Sequence, residues 1–124
     1  MQTILGANGQ IAVELARELH RNFTTDIRLV SRNPRRVNDS DELAKADLLD
    51  AEQTAAAVAG SDIVYFTAGL PADADLWERQ FPTMLRNALD AARTAGAAFA
   101  YFDNTYMYPQ NAQVQTEQMA FAPV

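Results

Sequence analysis

Residues 2–12 read QTILGANGQIA, an apolar strand-like run that leads into a turn with two glycines and then into a long amphipathic segment. Gly6 can adopt the backbone angles that a tight strand-to-helix turn requires. Gly9 leaves no side chain between the backbone and an anion at the helix N-terminus, and Ala12 allows close packing of helix on strand. This combination predicts a turn that holds the pyrophosphate of a dinucleotide.

A glycine turn can also be a plain connection between two packed elements, and the motif by itself is a weak signal. Its setting favours the nucleotide interpretation, because the turn follows a strand and opens a helix predicted over about 9–21. The apolar positions of that helix share one face: Ile11, Leu15, Ala16 and Leu19.

The composition excludes several function classes. The chain has 124 residues, a length typical of one domain, with no Cys and a single His, so thiolate chemistry, disulfides and a zinc cluster are excluded. A net charge of −6 argues against affinity for nucleic acid. No apolar run approaches the ~20 residues that span a bilayer, and no secretory signal pattern is present. We therefore expect a cytoplasmic protein without metal, membrane or nucleic-acid partners.

Strand-like and helix-like segments alternate along the whole chain. After the first strand and helix, strands are predicted at 27–30, 46–49, 63–66 and 98–102, and a helix at 51–59. A further helix has Pro82 in its first turn, ends at Gly96 and lines one side with Leu85, Leu89 and Ala92. The alternation predicts an α/β fold over residues 1–124, a doubly wound parallel sheet with helices on both faces.

Ligands of such sheets bind beyond the carboxyl ends of the strands. The chemistry-bearing residues at those ends are the glycine turn, Ser31-Arg32, Asp47-Leu48, Ala68-Gly69 and Asn104-Thr105. We expect them to cluster at one edge.

The residues after the second strand predict which dinucleotide binds. NAD sites usually place Asp or Glu there to accept from the ribose 2′-hydroxyl, whereas the 2′-phosphate of NADP requires arginine. The strand ends in Ser31 and Arg32, with Arg35 and Arg36 close behind. A guanidinium can bind a phosphate through two hydrogen bonds, so Arg32 favours NADP over NAD. For Arg35 and Arg36, a solvated loop fits the sequence equally well.

The ordered set of motifs resembles a known family. The segment GANGQIA at 6–12, Asp47-Leu48, Thr67-Ala68-Gly69 and FDNTYMY at 102–108 are similar to the N-terminal part of an extended or atypical short-chain dehydrogenase/reductase of the NAD-dependent epimerase/dehydratase type. The resemblance implies an NAD(P)-binding Rossmann fold. By this likeness Asp47 bonds the adenine amino group with Leu48 nearby, and Ala68 and Gly69 border the ribose. The implied cofactor-binding residues are Gly6, Asn8, Gly9, Gln10, Ile11, Ser31, Arg32, Asp47, Leu48, Ala68 and Gly69.

The resemblance also carries expectations about activity. Members move hydride between the nicotinamide and a carbonyl or hydroxyl carbon of a small molecule, a nucleotide sugar being one candidate, and a homodimer is a candidate assembly. Asn104 and Thr105 stand in the usual serine-rich segment and are the candidate catalytic residues; a polar cap on the strand end is their alternative role. The family's Tyr-x-x-x-Lys pair and C-terminal substrate domain would lie past Val124, so we expect a truncated chain.

Two alternatives remain open at the level of sequence. A non-catalytic NADP-binding regulator of the NmrA-like branch would lack the acid/base pair, and this chain shows no Tyr followed four residues later by Lys. A flavodoxin-like or other α/β domain without a dinucleotide is disfavoured by Arg32 and by the spacing of Gly6 and Gly9.

Overall fold

The computed structural model of the chain describes residues 1–69 and 73–102. Strands and helices alternate in the order β1 (Gln2–Leu5), α1 (Gln10–Asn22), β2 (Ile27–Ser31), β3 (Glu42–Lys45), α2 (Ala51–Val58), β4 (Ile63–Phe66), α3 (Ala74–Ala95) and β5 (Ala98–Tyr101). The strands form one parallel sheet in the order β3-β2-β1-β4-β5. This is the predicted doubly wound α/β architecture, in which the strand order reverses between β1 and β4.

The core forms a layer on each face of the sheet, because successive side chains of a strand point to opposite sides. Ile4 packs in the cluster that contains Ala12 and Ala16 of α1. The neighbouring Leu5 packs in the cluster that α2 and α3 cover. Ile4 and Leu5 are both fully buried, so β1 anchors both layers and holds the turn that follows it.

The prediction of the third strand at 46–49 is wrong, because β3 lies at Glu42–Lys45 and residues 46–49 form the turn beyond it. β3 is an edge strand, where charged side chains are tolerated. The apolar run at 46–49 therefore did not mark the position of the strand. Arg28 of β2 makes a 3.0 Å salt bridge to Glu42 and donates to the carbonyls of Ala57 and Ala59 at 2.8 Å. These contacts hold β3 in register and the end of α2 against β2.

The prediction that Pro82 lies in the first turn of its helix is also wrong, since α3 begins at Ala74 and contains Pro82 in its interior. The side chain of Asp73 accepts from the backbone N–H of Leu76 at 3.1 Å and caps the helix start. An interior proline costs about 3 kcal/mol, so packing of the apolar face must offset this cost.

The sequence also predicted which residues of α3 line its buried side and where the helix ends. Met84, Ala88, Ala91 and Ala92 are buried, whereas Leu89 is 41% exposed and does not line the buried side. Gly96 ends the helix in the left-handed conformation with φ of 69°, as predicted.

Over the two described ranges, no helix combines the length and the apolar character that a membrane span requires. Within the same ranges, no group of three or more His, Asp or Glu side chains is arranged to hold a metal ion.

Candidate dinucleotide-binding site

A cleft of about 340 Å³ opens at the carboxyl edge of the sheet, beside the reversal of strand order between β1 and β4. Open α/β sheets bind their ligands at such a switch point. The turns after β1, β2, β3 and β4 and one side of α3 line the cleft with Gly6, Ala7, Gly9, Ser31, Arg32, Ala46, Asp47, Leu48, Leu49, Thr67, Ala68, Gly69, Gln80 and Met84.

The turn after β1 is held tightly between its neighbours. The backbone N–H of Gly6 donates to the carbonyl of Val30 at 3.0 Å, and the hydroxyl of Thr67 donates to the carbonyl of Leu5 at 2.7 Å. Gly6 has φ of 95°, and a Cβ there would lie 2.6 Å from both Cα and N of Ala68. Only glycine therefore allows the turns after β1 and β4 to approach this closely.

The N-terminus of α1 is open to an anion. Gly9 occupies the N-cap position, no side chain caps the helix, and its first turn carries no acidic residue. By contrast, Asp50 and Asp73 cap α2 and α3 with their side chains. Backbone N–H groups at an uncapped helix start carry a partial positive charge that a phosphate can neutralise. The start of α1 is suited to a pyrophosphate group.

The loop after β2 brings an arginine to the same cleft. Arg32 lines the cleft, and within residues 1–69 and 73–102 its guanidinium takes part in no hydrogen bond or ion pair. Arg36 is turned away, because its Nε donates to the carbonyl of Asp41 at 3.2 Å. Arg35 donates its backbone N–H to Oδ1 of Asn8 at 2.9 Å. Of the three arginines, Arg32 is the one placed to meet a ligand in the cleft.

Asp47 and Leu48 stand just past the end of β3 and line the cleft. Oδ1 of Asp47 accepts from the N–H of Leu49 at 3.0 Å, and its backbone N–H donates to Oε1 of Gln53 at 2.9 Å. The carbonyl of Leu48 accepts from Nδ2 of Asn87 at 2.8 Å. These bonds fix the turn, and the Asp47 carboxylate keeps acceptor capacity for an amino group.

Most of the predicted cofactor residues converge here. The cleft gathers Gly6, Gly9, Ser31, Arg32, Asp47, Leu48, Ala68 and Gly69. Asn8, Gln10 and Ile11 do not line it, and the side chain of Ile11 faces a separate apolar groove of about 430 Å³ between α1 and β5. Gln10 and Ile11 stand at the start of α1, where their backbone N–H groups can face a ligand. Asn104 and Thr105 lie outside the described residues.

Gln80 and Met84 are lining residues that the sequence interpretation missed. They are four residues apart on α3 and so lie on one face of the helix. That spacing was readable, but placing the helix start at Pro82 left Gln80 outside the helix.

Tyr65 is a phenol in the apolar groove, and its pKa decides whether it can act as a general base. Tyr65 lines that groove and donates its hydroxyl proton to Oε1 of Gln2 at 2.8 Å. Burial raises the pKa of Tyr65 above its ordinary value. Tyr65 is therefore protonated at neutral pH and cannot act there as a general base.

The fold, the glycine turn and the open helix start define a Rossmann-type dinucleotide-binding domain. A family model described as NAD(P)H-binding matches residues 6–100, and the chain belongs to this NAD(P)H-binding family. Among curated protein sequences the chain has no match.

Solved structures show the same fold at low sequence identity. Uronate dehydrogenase from Agrobacterium tumefaciens has a TM-score of 0.80 and 21% identity, over 98% of this chain and 48% of that one. A short-chain dehydrogenase/reductase superfamily protein from the same organism, with bound NAD, has a TM-score of 0.80 and 22% identity. The match covers 100% of this chain and 39% of that one. The NADPH complex of the NADPH-dependent quinone oxidoreductase of Escherichia coli has a TM-score of 0.68 and 23% identity. The match covers 82% of this chain and 36% of that one. The chain spans less than half the length of each.

Proposed function

We propose that the chain is the NADP(H)-binding domain of an epimerase/dehydratase-like oxidoreductase. The whole protein would transfer hydride between the nicotinamide and a carbonyl or hydroxyl carbon of a small molecule, with a nucleotide sugar as one candidate. The observation that carries the proposal is the glycine turn and uncapped start of α1, with the guanidinium of Arg32, unpaired among the described residues, in the same cleft.

Each part of a dinucleotide has a counterpart in the cleft. The turn at Gly6 and Gly9 leaves the N–H groups of α1 open for the pyrophosphate. Asp47 would accept from the adenine amino group, and Ala68 and Gly69 would border the ribose. The bound cofactor supplies the hydride chemistry, and the protein orients it.

The preference for NADP rests on Arg32. Its guanidinium has no protein partner within the described residues and can bind a 2′-phosphate through two hydrogen bonds. β2 ends in Ser31 rather than in a carboxylate that would accept from a ribose 2′-hydroxyl. Structural relatives include an NAD complex and an NADPH complex, so the choice depends on this chain's own residues.

A non-catalytic NADP-binding regulator would use the same cleft. Residues 1–124 contain no Tyr-x-x-x-Lys pair, since their single Lys is Lys45 and lies ahead of every Tyr, and both candidate functions are compatible with this. Asn104 and Thr105 as contacts to the reacting oxygen, the homodimer and the cytoplasmic location stay predictions.

Fluorescence titration of the protein with NADPH and with NADH tests the proposal. We expect NADPH to bind more tightly, and Arg32→Ala to weaken NADPH binding by roughly 10- to 100-fold, as for loss of hydrogen bonds to a charged group. NADH binding should change by less than about twofold, because NADH has no 2′-phosphate.

Arg21→Ala is the matched control. Arg21 is exposed in the last turn of α1, at the opposite edge of the sheet, and its removal changes the net charge equally. Equal losses of NADPH affinity in both variants would assign the effect to overall charge. Binding of neither nucleotide by the folded protein would overturn the proposal.

A further inference from the structure

Asn8 adopts an unusual backbone conformation, and its side chain contacts the loop after β2. Its φ is 80°, and within the described residues it is the only residue other than glycine with a positive φ. Asparagine tolerates this region better than most residues. Asn8 lies between Gly6 and Gly9 in the pyrophosphate turn, yet it does not line the cleft.

The carboxamide of Asn8 bridges the pyrophosphate turn and the loop after β2. Its Nδ2 donates to the carbonyl of Asn33 at 2.6 Å, and its Oδ1 accepts from the backbone N–H of Arg35 at 2.9 Å. Ser31 Oγ lies 3.5 Å from the same Nδ2. One side chain therefore binds the backbone on both sides of Pro34, just after Arg32.

The other end of this loop has its own anchor. Asp41 is buried, and its Oδ2 accepts from the backbone N–H groups of Val37 and Asn38 at 3.1 and 2.7 Å. Nδ2 of Asn38 donates to the carbonyl of Ala16 in α1 at 3.1 Å. The segment that carries Arg32 is thus fixed at its far end by Asp41, and at its near end Asn8 supplies the bonds to the pyrophosphate turn.

We propose that Asn8 is a positioning residue for nucleotide selectivity. Its carboxamide holds the Arg32 loop at a set place relative to the pyrophosphate turn, so that the guanidinium meets the 2′-phosphate while the pyrophosphate lies on α1. The inference rests on the proposed function of the cleft. Binding to a loop already in place avoids the entropy cost of ordering it, and this gain applies to the 2′-phosphate more than to the rest of the nucleotide.

Asn8→Gly removes the carboxamide and keeps a residue that adopts a positive φ without strain. Calorimetric titration with adenosine 2′,5′-bisphosphate and with 5′-AMP then separates the 2′-phosphate contribution from the rest. We expect the bisphosphate to bind about tenfold more weakly, the loss expected for one or two hydrogen bonds, and 5′-AMP to change by less than about twofold.

Asn33→Ala is the matched control in the partner loop. It removes an exposed carboxamide but keeps the backbone carbonyl that accepts from Asn8, so both affinities should stay within about twofold of the parent. Hydrogen exchange of the Arg35 amide, followed by NMR, reports the bridge without any nucleotide. The Arg35 amide should be protected in the parent chain and in Asn33→Ala, and should exchange at least about tenfold faster in Asn8→Gly.

The outcomes separate the two proposals. If the parent chain prefers the bisphosphate but Asn8→Gly keeps that preference, or loses affinity for both nucleotides equally, the role of Asn8 is refuted and the cofactor site stands. If the parent chain binds neither nucleotide, the proposed function fails and the selectivity role fails with it, whatever the Arg35 amide shows. An unprotected Arg35 amide in the parent chain would refute the bridge and with it the positioning role of Asn8, and would leave the cofactor site standing.

Discussion

Replacing Gly6 with alanine tests whether the pyrophosphate turn depends on close contact between two backbones. The added Cβ would lie 2.6 Å from Cα and N of Ala68 and 2.9 Å from the carbonyl carbon of Thr67. These atoms belong to the backbone after β4, which cannot move aside as a side chain can. The substitution must separate the turns after β1 and β4 or shift β1 itself.

The expected loss has two parts. A non-glycine residue in the left-handed region costs about 1–2 kcal/mol. Overpacking of a closely packed contact costs about 1–3 kcal/mol more. The sum of roughly 2–5 kcal/mol is a large part of the typical domain stability of about 5–15 kcal/mol. For a domain of this size the melting temperature should fall by roughly 10–20 °C.

Urea and thermal unfolding followed by circular dichroism measure this loss, and Gly60→Ala is its control. Gly60 has φ of 79°, but a Cβ there would meet no atom within 4 Å. Gly60→Ala should therefore cost only the backbone strain of about 1–2 kcal/mol. If Gly6→Ala costs no more than Gly60→Ala, the close approach of the two turns is not a stabilising feature of the fold and the reasoning is wrong.

Three further predictions concern capping, the adenine end of the cleft and pH. Asp73→Ala removes the side-chain cap of α3 and should lower the free energy of unfolding by about 1 kcal/mol in urea titrations; no change would show that the cap is dispensable. Asp47→Ala should weaken NADPH and NADH by equal factors of about 2- to 10-fold in fluorescence titrations; a selective effect on NADPH would contradict its assignment to adenine. Hydrogen bonds that the Met1 ammonium donates to the carboxylates of Asp26 and Asp62 raise the pKa of the Met1 amino group above 8.0, so its stabilising effect is complete below pH 8.0 and is lost as the pH rises through the raised value. Unfolding midpoints of the free and N-acetylated chains should therefore differ most below pH 8, and a difference that grows above pH 8 would contradict the sign.

The parts of the fold that local sequence determines were predictable. Gly6 and Gly96 both have positive φ, and each stands where an element ends and the chain must turn. Apolar runs identified β2, β4 and β5 because those strands pack against helices or neighbouring strands on at least one face. Parallel pairing then followed from the alternation of strands and helices.

The errors arose where a distant partner decides the structure. β3 contains Glu42 and Lys45, and its pairing depends on Arg28, fourteen residues before Glu42. α3 tolerates Pro82 because its opposite face packs on the sheet, which no local rule of helix propensity includes. The edge position of β3 and the packing of α3 both depend on tertiary structure, which a local sequence pattern does not contain.

The candidate site also has features that the sequence predicted and features that only the folded structure shows. The glycine turn and the residues after each strand were readable, because strand ends of a parallel sheet meet at one edge. The different roles of the three arginines were not, since Arg36 is turned away by the carbonyl of Asp41 and Arg35 is bound through its backbone by Asn8. Gln80 enters the cleft from α3 only after the chain has folded.

The most direct measurement of the central claim is the change in backbone amide NMR signals of the ¹⁵N-labelled protein on addition of NADPH. A nucleotide whose pyrophosphate lies on the uncapped start of α1 must perturb the amides of Gly9, Gln10 and Ile11 more strongly than those at the other end of the helix. Shifts concentrated there, with further shifts at Arg32 and Asp47, are the predicted result. Saturating NADPH that leaves these amides unchanged, or shifts only residues of the groove between α1 and β5, would contradict the account.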